Sequence, residues 1–138
     1  GPLTEALDQE LANARRRSPV PLRTLTLPEN RGLGEALRAG VLACRGTYIA
    51  RMDADDVALP HRFAEQLAYL HDHPGVALLG TWIEEFHDRP GDVGRVRRVP
   101  ATNDEIRRFA RLRNPFNHMT VVFRRDEALR VGNYSPFY

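Results

Sequence analysis

The sequence predicts a single α/β domain built around a largely parallel sheet. Stretches with apolar residues at helical spacing alternate with short apolar runs rich in β-branched and aromatic residues. Clusters of Pro, Gly, Asn and Ser separate them, with no internal repeat and no long linker, and 138 residues suit one compact core.

The elements follow in order. Leu3, Leu7, Leu11 and Ala14 recur at helical spacing, so Thr4 to Arg17 reads as a helix with Thr4 as N-cap. Ser18-Pro19-Val20-Pro21 breaks it. Leu22 to Leu27 alternates as a strand, and Pro28 to Gly32 turns into a second helix over about Leu33 to Cys44. Thr47 to Met52 is a short apolar strand that runs into Asp53-Ala54-Asp55-Asp56. Pro60 opens a third helix to about His73, stopped by Pro74-Gly75. Val76 to Phe86 reads as a strand, with a loop or hairpin from Asp88 to Gly94. Thr102 to Glu105 has the pattern of a capped helix start, and that helix continues to about Leu112. Met119 to Phe123 is a last strand, followed by a helical turn near Asp126 to Arg130.

Composition excludes several classes. With 42% apolar and 28% charged residues the chain is an ordinary globular one, neither disordered nor low-complexity. Its longest apolar stretch, Val76 to Ile83, is interrupted by Gly80 and Thr81 and falls short of the ~20 residues that span a membrane. The single cysteine, Cys44, makes neither an internal disulfide nor a cysteine metal site. All 20 basic residues are arginine, so no lysine chemistry operates within this chain. The net charge is +2, and the clusters Arg15-Arg16-Arg17 and Arg95 to Arg98 lack neighbouring aromatics for stacking. They read as solvated faces, and no nucleic-acid partner is expected.

Three carboxylates in four residues at the end of a strand are the most informative feature. Alternation would turn Asp53 and Asp55 to one side, at the sheet edge where α/β proteins bind ligands. Hard oxygen donors there suit Mg²⁺ or Mn²⁺ bridging to phosphates. The alternative is a surface turn in which Asp56 caps the following helix. Asn30-Arg31-Gly32-Leu33-Gly34, between a strand and a helix, allows close backbone approach to a ligand but lacks the dinucleotide spacing G-x-G-x-x-G. His118, in Asn114-Pro115-Phe116-Asn117-His118, is open to three roles: metal ligand, phosphate donor or buried structural residue. Trp82 reads as a core or half-buried strand residue, with sugar stacking as the alternative.

Taken together, Leu27-Pro28-Glu29-Asn30-Arg31-Gly32-Leu33-Gly34, Tyr48-Ile49-Ala50-Arg51-Met52-Asp53-Ala54-Asp55-Asp56, Pro60-x-Arg62-Phe63-x-x-Gln66 and Asn114 to Arg124 resemble glycosyltransferase family 2, bacterial cell-surface polysaccharide type. The resemblance implies a GT-A, Rossmann-like fold, a nucleotide-diphosphate-sugar donor, a saccharide or lipid-linked acceptor, a divalent metal (Mn²⁺ or Mg²⁺) and inversion at the anomeric carbon. By resemblance, Asp53 contacts the nucleotide or its metal, Asp55 binds the metal, and Asn30 and Gly32 lie near the base. Many relatives read A-R-N-x-G where this chain has Ala36-Leu37-Arg38-Ala39-Gly40, so Arg38 stands in for the usual base-contacting arginine and the nucleotide is left open.

The resemblance also implies that residues 1–138 are an incomplete GT-A core, lacking N-terminal strands and a general-base segment expected beyond Tyr138, and inactive alone. The expected setting is cytoplasmic, at the inner membrane face for the full-length enzyme, with exposed sheet edges favouring a homodimer. Two rivals are a non-catalytic binding module on the same scaffold and a haloacid-dehalogenase-type phosphatase. The latter's D-x-D-x-[TV] string is met at Asp53 to Val57, but its lysine is missing.

Overall fold

The computed structural model describes residues 3–135. They form two compact units: one runs up to Arg45 and takes in the segment from Gly132, and the other is Gly46–Val131.

In the first unit, helix α1 (Glu5–Arg17) starts where expected, with the Thr4 hydroxyl accepting the Leu7 N–H at 3.4 Å. Acids in its first turn and Arg15, Arg16 and Arg17 in its last complement the helix dipole, and Ser18 caps its C-terminus. Helix α2 (Gly32–Ala43) buries Gly34 and Val41. The strand expected over Leu22 to Leu27 does not form. Its pattern suits a strand, but no described segment pairs with it, and Leu22 and Leu25 stay 37% and 54% exposed. A strand without a ladder partner has no hydrogen bonds to hold it.

The second unit carries the sheets. Strand β1 (Tyr48–Ala50) is followed by helix α3 (Arg62–Asp72), β2 (Leu78–Leu79), β3 (Ile83–Glu85), β4 (Arg95–Arg97) and helix α4 (Asn103–Phe109). A 3-10 turn (His118–Thr120), strand β5 (Val122–Arg124) and helix α5 (Arg125–Arg130) complete it. Strand β5 lies between β1 and β2, pairing Ile49 with Phe123 and Leu78 with the same Phe123. A separate hairpin joins β3 to β4, with Ile83 opposite Arg97.

The α/β class stands, but the pairing expected to be mostly parallel is antiparallel in all three ladders of the described residues. The expectation rested on strands alternating with helices, but element order does not fix which strands become neighbours, and β5, late in the chain, enters between β1 and β2. The strand read as Val76 to Phe86 is two strands, interrupted over residues 80–82 beginning at Gly80. A Cβ built there would stand 3.0 Å from the Phe116 ring and 3.4 Å from the Thr120 hydroxyl. The Met119 to Phe123 strand likewise begins as the 3-10 turn and becomes ladder only at Val122.

Burial in this unit centres on β5. Val121, Val122 and Phe123 are buried, as is Leu70 of α3, and Gln66, Asn117 and Thr120 are buried polar residues. Helix α4 begins with the full reciprocal cap: Thr102 accepts the Glu105 N–H while the Glu105 carboxylate accepts the Thr102 N–H at 3.0 Å.

Candidate metal and nucleotide site

Strand β1 stops at Ala50, and the Arg51 N–H then donates to the Val121 carbonyl at 2.9 Å, holding the strand's end against the entry to β5. Beyond it the chain turns, with the Asp56 N–H reaching the Asp53 carbonyl at 3.4 Å. The turn, rather than strand alternation, gathers the acids. It brings in a third member, so that Asp53, Asp55 and Asp56 offer carboxylate oxygens all within 4.8 Å of one another. The alternative role for Asp56 as helix cap does not hold: the N-cap of α3 is His61, five residues on.

Three like charges this close repel by about 3 kcal/mol per pair at an effective dielectric of ~20. One is offset in place. The buried Arg51 guanidinium, 9% exposed, grips Asp53 with two nitrogens at 2.6 and 3.2 Å. Asp56 has no such partner, and its Oδ2 is buried without a hydrogen bond. Its carboxyl is held above its ordinary value of 3.8, first by burial, then by the charges of Asp53 and Asp55, against the weaker pull of Arg51 and Arg62.

Behind the turn lies a buried polar brace. Arg62 donates to the Arg51 carbonyl at 2.7 Å, to the Met119 carbonyl at 3.0 Å and to the Gln66 amide oxygen at 3.1 Å. Gln66 in turn donates to the Thr120 carbonyl at 2.9 Å. One turn of α3 therefore fixes both the end of β1 and the 3-10 turn. Burial pushes the Arg62 pKa below its ordinary value, with the Asp56 charge opposing. His118 stands within electrostatic reach of this group. Its imidazole is shifted toward the neutral form by burial and by Arg51, with Asp53 acting against. It is not a member of the three-carboxylate group.

A divalent cation fits the residues present. The donors are all hard oxygens, they converge, and one of them is a buried carboxylate oxygen that nothing else satisfies.

Asn30, Gly32 and Arg38 belong to the first unit. The Asn30 side-chain oxygen accepts the Gly32 N–H at 3.0 Å, and Gly32 has φ +84°, a left-handed conformation that costs glycine little. The space around Gly32 is open, so backbone conformation, not crowding, requires the glycine. The Arg38 side chain is exposed beside Glu35 at 3.9 Å, and its carbonyl accepts from Asn133 at 3.1 Å. Asp56 and Arg51 escaped the sequence reading as site residues, although the adjacent Asp55-Asp56 pair and a lone arginine two residues before Asp53 were the available signals.

A family model described as glycosyl transferase family 2 matches residues 3–132, and the chain belongs to that family. Its fold class is accordingly the GT-A nucleotide-sugar transferase class. The haloacid-dehalogenase reading of Asp53 to Val57 falls with this assignment. Among relatives, the chain is 42% identical to the amylovoran biosynthesis glycosyltransferase AmsE of Erwinia amylovora, over 97% of this chain and 49% of that protein. It is 36% identical to an Escherichia coli UDP-Gal:alpha-D-GlcNAc-diphosphoundecaprenol beta-1,3-galactosyltransferase, over 100% of this chain and 49% of that one. An uncharacterized glycosyltransferase of Haemophilus influenzae is 41% identical over 83% of the chain and 43% of its own length. The chain thus spans about half the length of these relatives. No solved structure gives a significant match.

Proposed function

We propose that the chain forms the donor-binding part of an enzyme that transfers a sugar from a nucleotide-diphosphate-sugar to a hydroxyl of a saccharide or lipid-linked acceptor. Family membership supports sugar transfer, and relatives named for amylovoran biosynthesis and for a diphosphoundecaprenol acceptor favour surface-polysaccharide assembly. The observation that carries the reading is the convergence of Asp53, Asp55 and Asp56 within 4.8 Å at the end of β1.

In this reading Asp55 and Asp53 hold Mn²⁺ or Mg²⁺, with Asp56 as a third oxygen donor. When bound, that cation supplies Lewis-acid neutralisation of the charge on the departing diphosphate. The family resemblance assigns Asn30, Gly32 and Arg38 to the nucleotide, and Asp53 to the nucleotide or its metal. His118, its imidazole shifted toward the neutral form by burial and Arg51, is assigned by the same reading as a metal or phosphate contact. The acceptor oxygen attacks the anomeric carbon as the bond to the diphosphate breaks, inverting the centre. Its proton passes to a carboxylate assigned to the full-length enzyme, so the 138 residues are inactive by themselves.

No helix among the described residues is long and apolar enough to cross a membrane. The proposed location is the cytoplasm, at the inner membrane face. The open edges of the three-stranded sheet, β1 and β2, make a homodimer the expected assembly.

Calorimetric titration of UDP, GDP and dTDP into the chain, with and without Mn²⁺, tests the reading. Metal-dependent binding of one nucleotide, lost in Asp55→Ala, is expected. Binding that ignores both metal and Asp55 would overturn the metal assignment and leave a non-catalytic nucleotide-binding module.

A further inference from the structure

Charge is distributed unevenly along the chain. Residues 95–113 hold seven arginines against two acids, a net +5, whereas the other residues, with 13 arginines and 16 acids, stand at −3. All seven of these arginines are exposed. Arg95 pairs with Glu85 at 3.1 Å, but Arg97, Arg98, Arg107, Arg108, Arg111 and Arg113 form no ion pair among the described residues. Of the two acids, Glu105 is committed to the cap of α4.

Apolar side chains stand among these charges. Trp82, Arg98, Arg108, Phe109 and Leu112 line one open groove between the β3–β4 hairpin and α4. Trp82 is 51% exposed and Leu112 is 87% exposed. The indole N–H of Trp82 donates to the Val99 carbonyl at 2.9 Å, and the Arg98 guanidinium lies 5.1 Å from the centre of its ring. The tryptophan, expected as a core or half-buried strand residue, is therefore held at the surface just before β3, one face under an arginine.

We propose that this face, the β3–β4 hairpin with α4, docks on the surface of an anionic lipid bilayer. Tryptophan is favoured at the boundary between headgroups and acyl chains, where an apolar body and a polar N–H are both accommodated. Arginines keep their guanidinium groups among the lipid phosphates while their stems lie along apolar surface. Each cationic residue near such a surface raises partitioning on the order of fivefold, and Arg98 and Arg108 in the groove lining, with further exposed arginines in the same segment, supply that attraction. A nucleic acid would meet the same charge but has no use for Leu112, and the Trp82 face it would stack on is covered by Arg98. The inference takes up the membrane-face location given above and rests on surface charge and apolar pattern, independently of the donor site.

Trp82 is the only tryptophan in the sequence, so intrinsic fluorescence reports this face directly. Vesicles of phosphatidylglycerol and phosphatidylcholine, mixed in equal parts, should shift its emission to the blue, and brominated acyl chains should quench it. Pure phosphatidylcholine vesicles should do neither, and 0.5 M salt should release the protein. Arg108→Glu with Arg111→Glu, both on exposed positions, should weaken partitioning at least about tenfold while circular dichroism stays unchanged. Leu112→Ser should lessen the quenching. No shift with anionic vesicles, or binding indifferent to the charge reversal, would overturn the proposal. So would a shift elicited by a single-stranded oligonucleotide and not by vesicles, which would make the face a nucleic-acid surface. Nucleotide titration on the same samples reads the donor site separately, so either reading can fail without the other.

Discussion

Arg51 and Asp53, two residues apart on the turn that follows β1, form a two-pronged ion pair with nitrogen–oxygen distances of 2.6 and 3.2 Å. The guanidinium is almost wholly buried while the carboxylate is 37% exposed, so the pair anchors the acidic turn from its protein side and leaves its outer side to solvent. One of the three crowded charges is thus balanced within the protein, by Arg51.

Removing the guanidinium should make that dependence visible. Arg51→Ala is expected to destabilise the metal-free chain by about 1–2 kcal/mol, less than for a fully buried pair because Asp53 stays partly solvated. Mn²⁺ should then raise the melting temperature of the variant more than that of the parent chain. Thermal melts with EDTA and with Mn²⁺ check this, and an equal metal-induced rise in both proteins would contradict it.

Asp56 should behave oppositely. Its folded-state pKa is raised, so the stability attached to its protonated form is present below its ordinary value of 3.8 and is lost as pH rises through the folded value. At neutral pH in EDTA, Asp56→Asn should be more stable than the parent chain, with a flatter pH dependence above about pH 4. The same substitution should weaken Mn²⁺ binding. Urea denaturation across that range, alongside metal titration, measures both effects.

Gln66 is 3% exposed and bonds Arg62 and the Thr120 carbonyl at once. Gln66→Leu leaves both without their partner and should cost about 2–3 kcal/mol, a buried unsatisfied group being worth 1–3. The urea midpoint should fall with an unchanged slope. Because Arg62 also holds the Arg51 carbonyl at 2.7 Å, Mn²⁺ affinity should fall too.

His118 gives a second pH signature. Burial and Arg51 depress its folded-state pKa below 6.5, so its contribution to stability is complete above that value and is lost as pH falls through the folded one. Ring-proton NMR of the metal-free chain should show a midpoint below 6.5. In His118→Asn the loss of stability on mild acidification should shrink.

Much of this was legible beforehand. Thr4 and the Thr102–Glu105 pair announce helix starts because a cap is a local hydrogen bond between residues three apart. The acidic turn was legible too, since carboxylates crowd there within four residues of sequence. What escaped depends on partners distant in the chain. Leu22 to Leu27 has a strand's alternation but no described segment to pair with, and a side chain at Gly80 would meet the ring of Phe116, 36 residues later. The order of helices and strands, which pointed to a parallel sheet, does not fix which strands become neighbours, and the ladders proved antiparallel. Asp56 joins the site through the turn's geometry, and Trp82 stands at the surface because Val99 and Arg98 hold it there.

The most direct test of the central claim is turnover by the full-length enzyme carrying Asp55→Ala, assayed with its nucleotide-sugar donor and saturating Mn²⁺. The account predicts a fall in kcat of at least about a hundredfold, the order lost when electrostatic stabilisation of a leaving group is removed, with the fold intact by circular dichroism. Near-normal turnover would contradict it and place the diphosphate's counter-charge elsewhere.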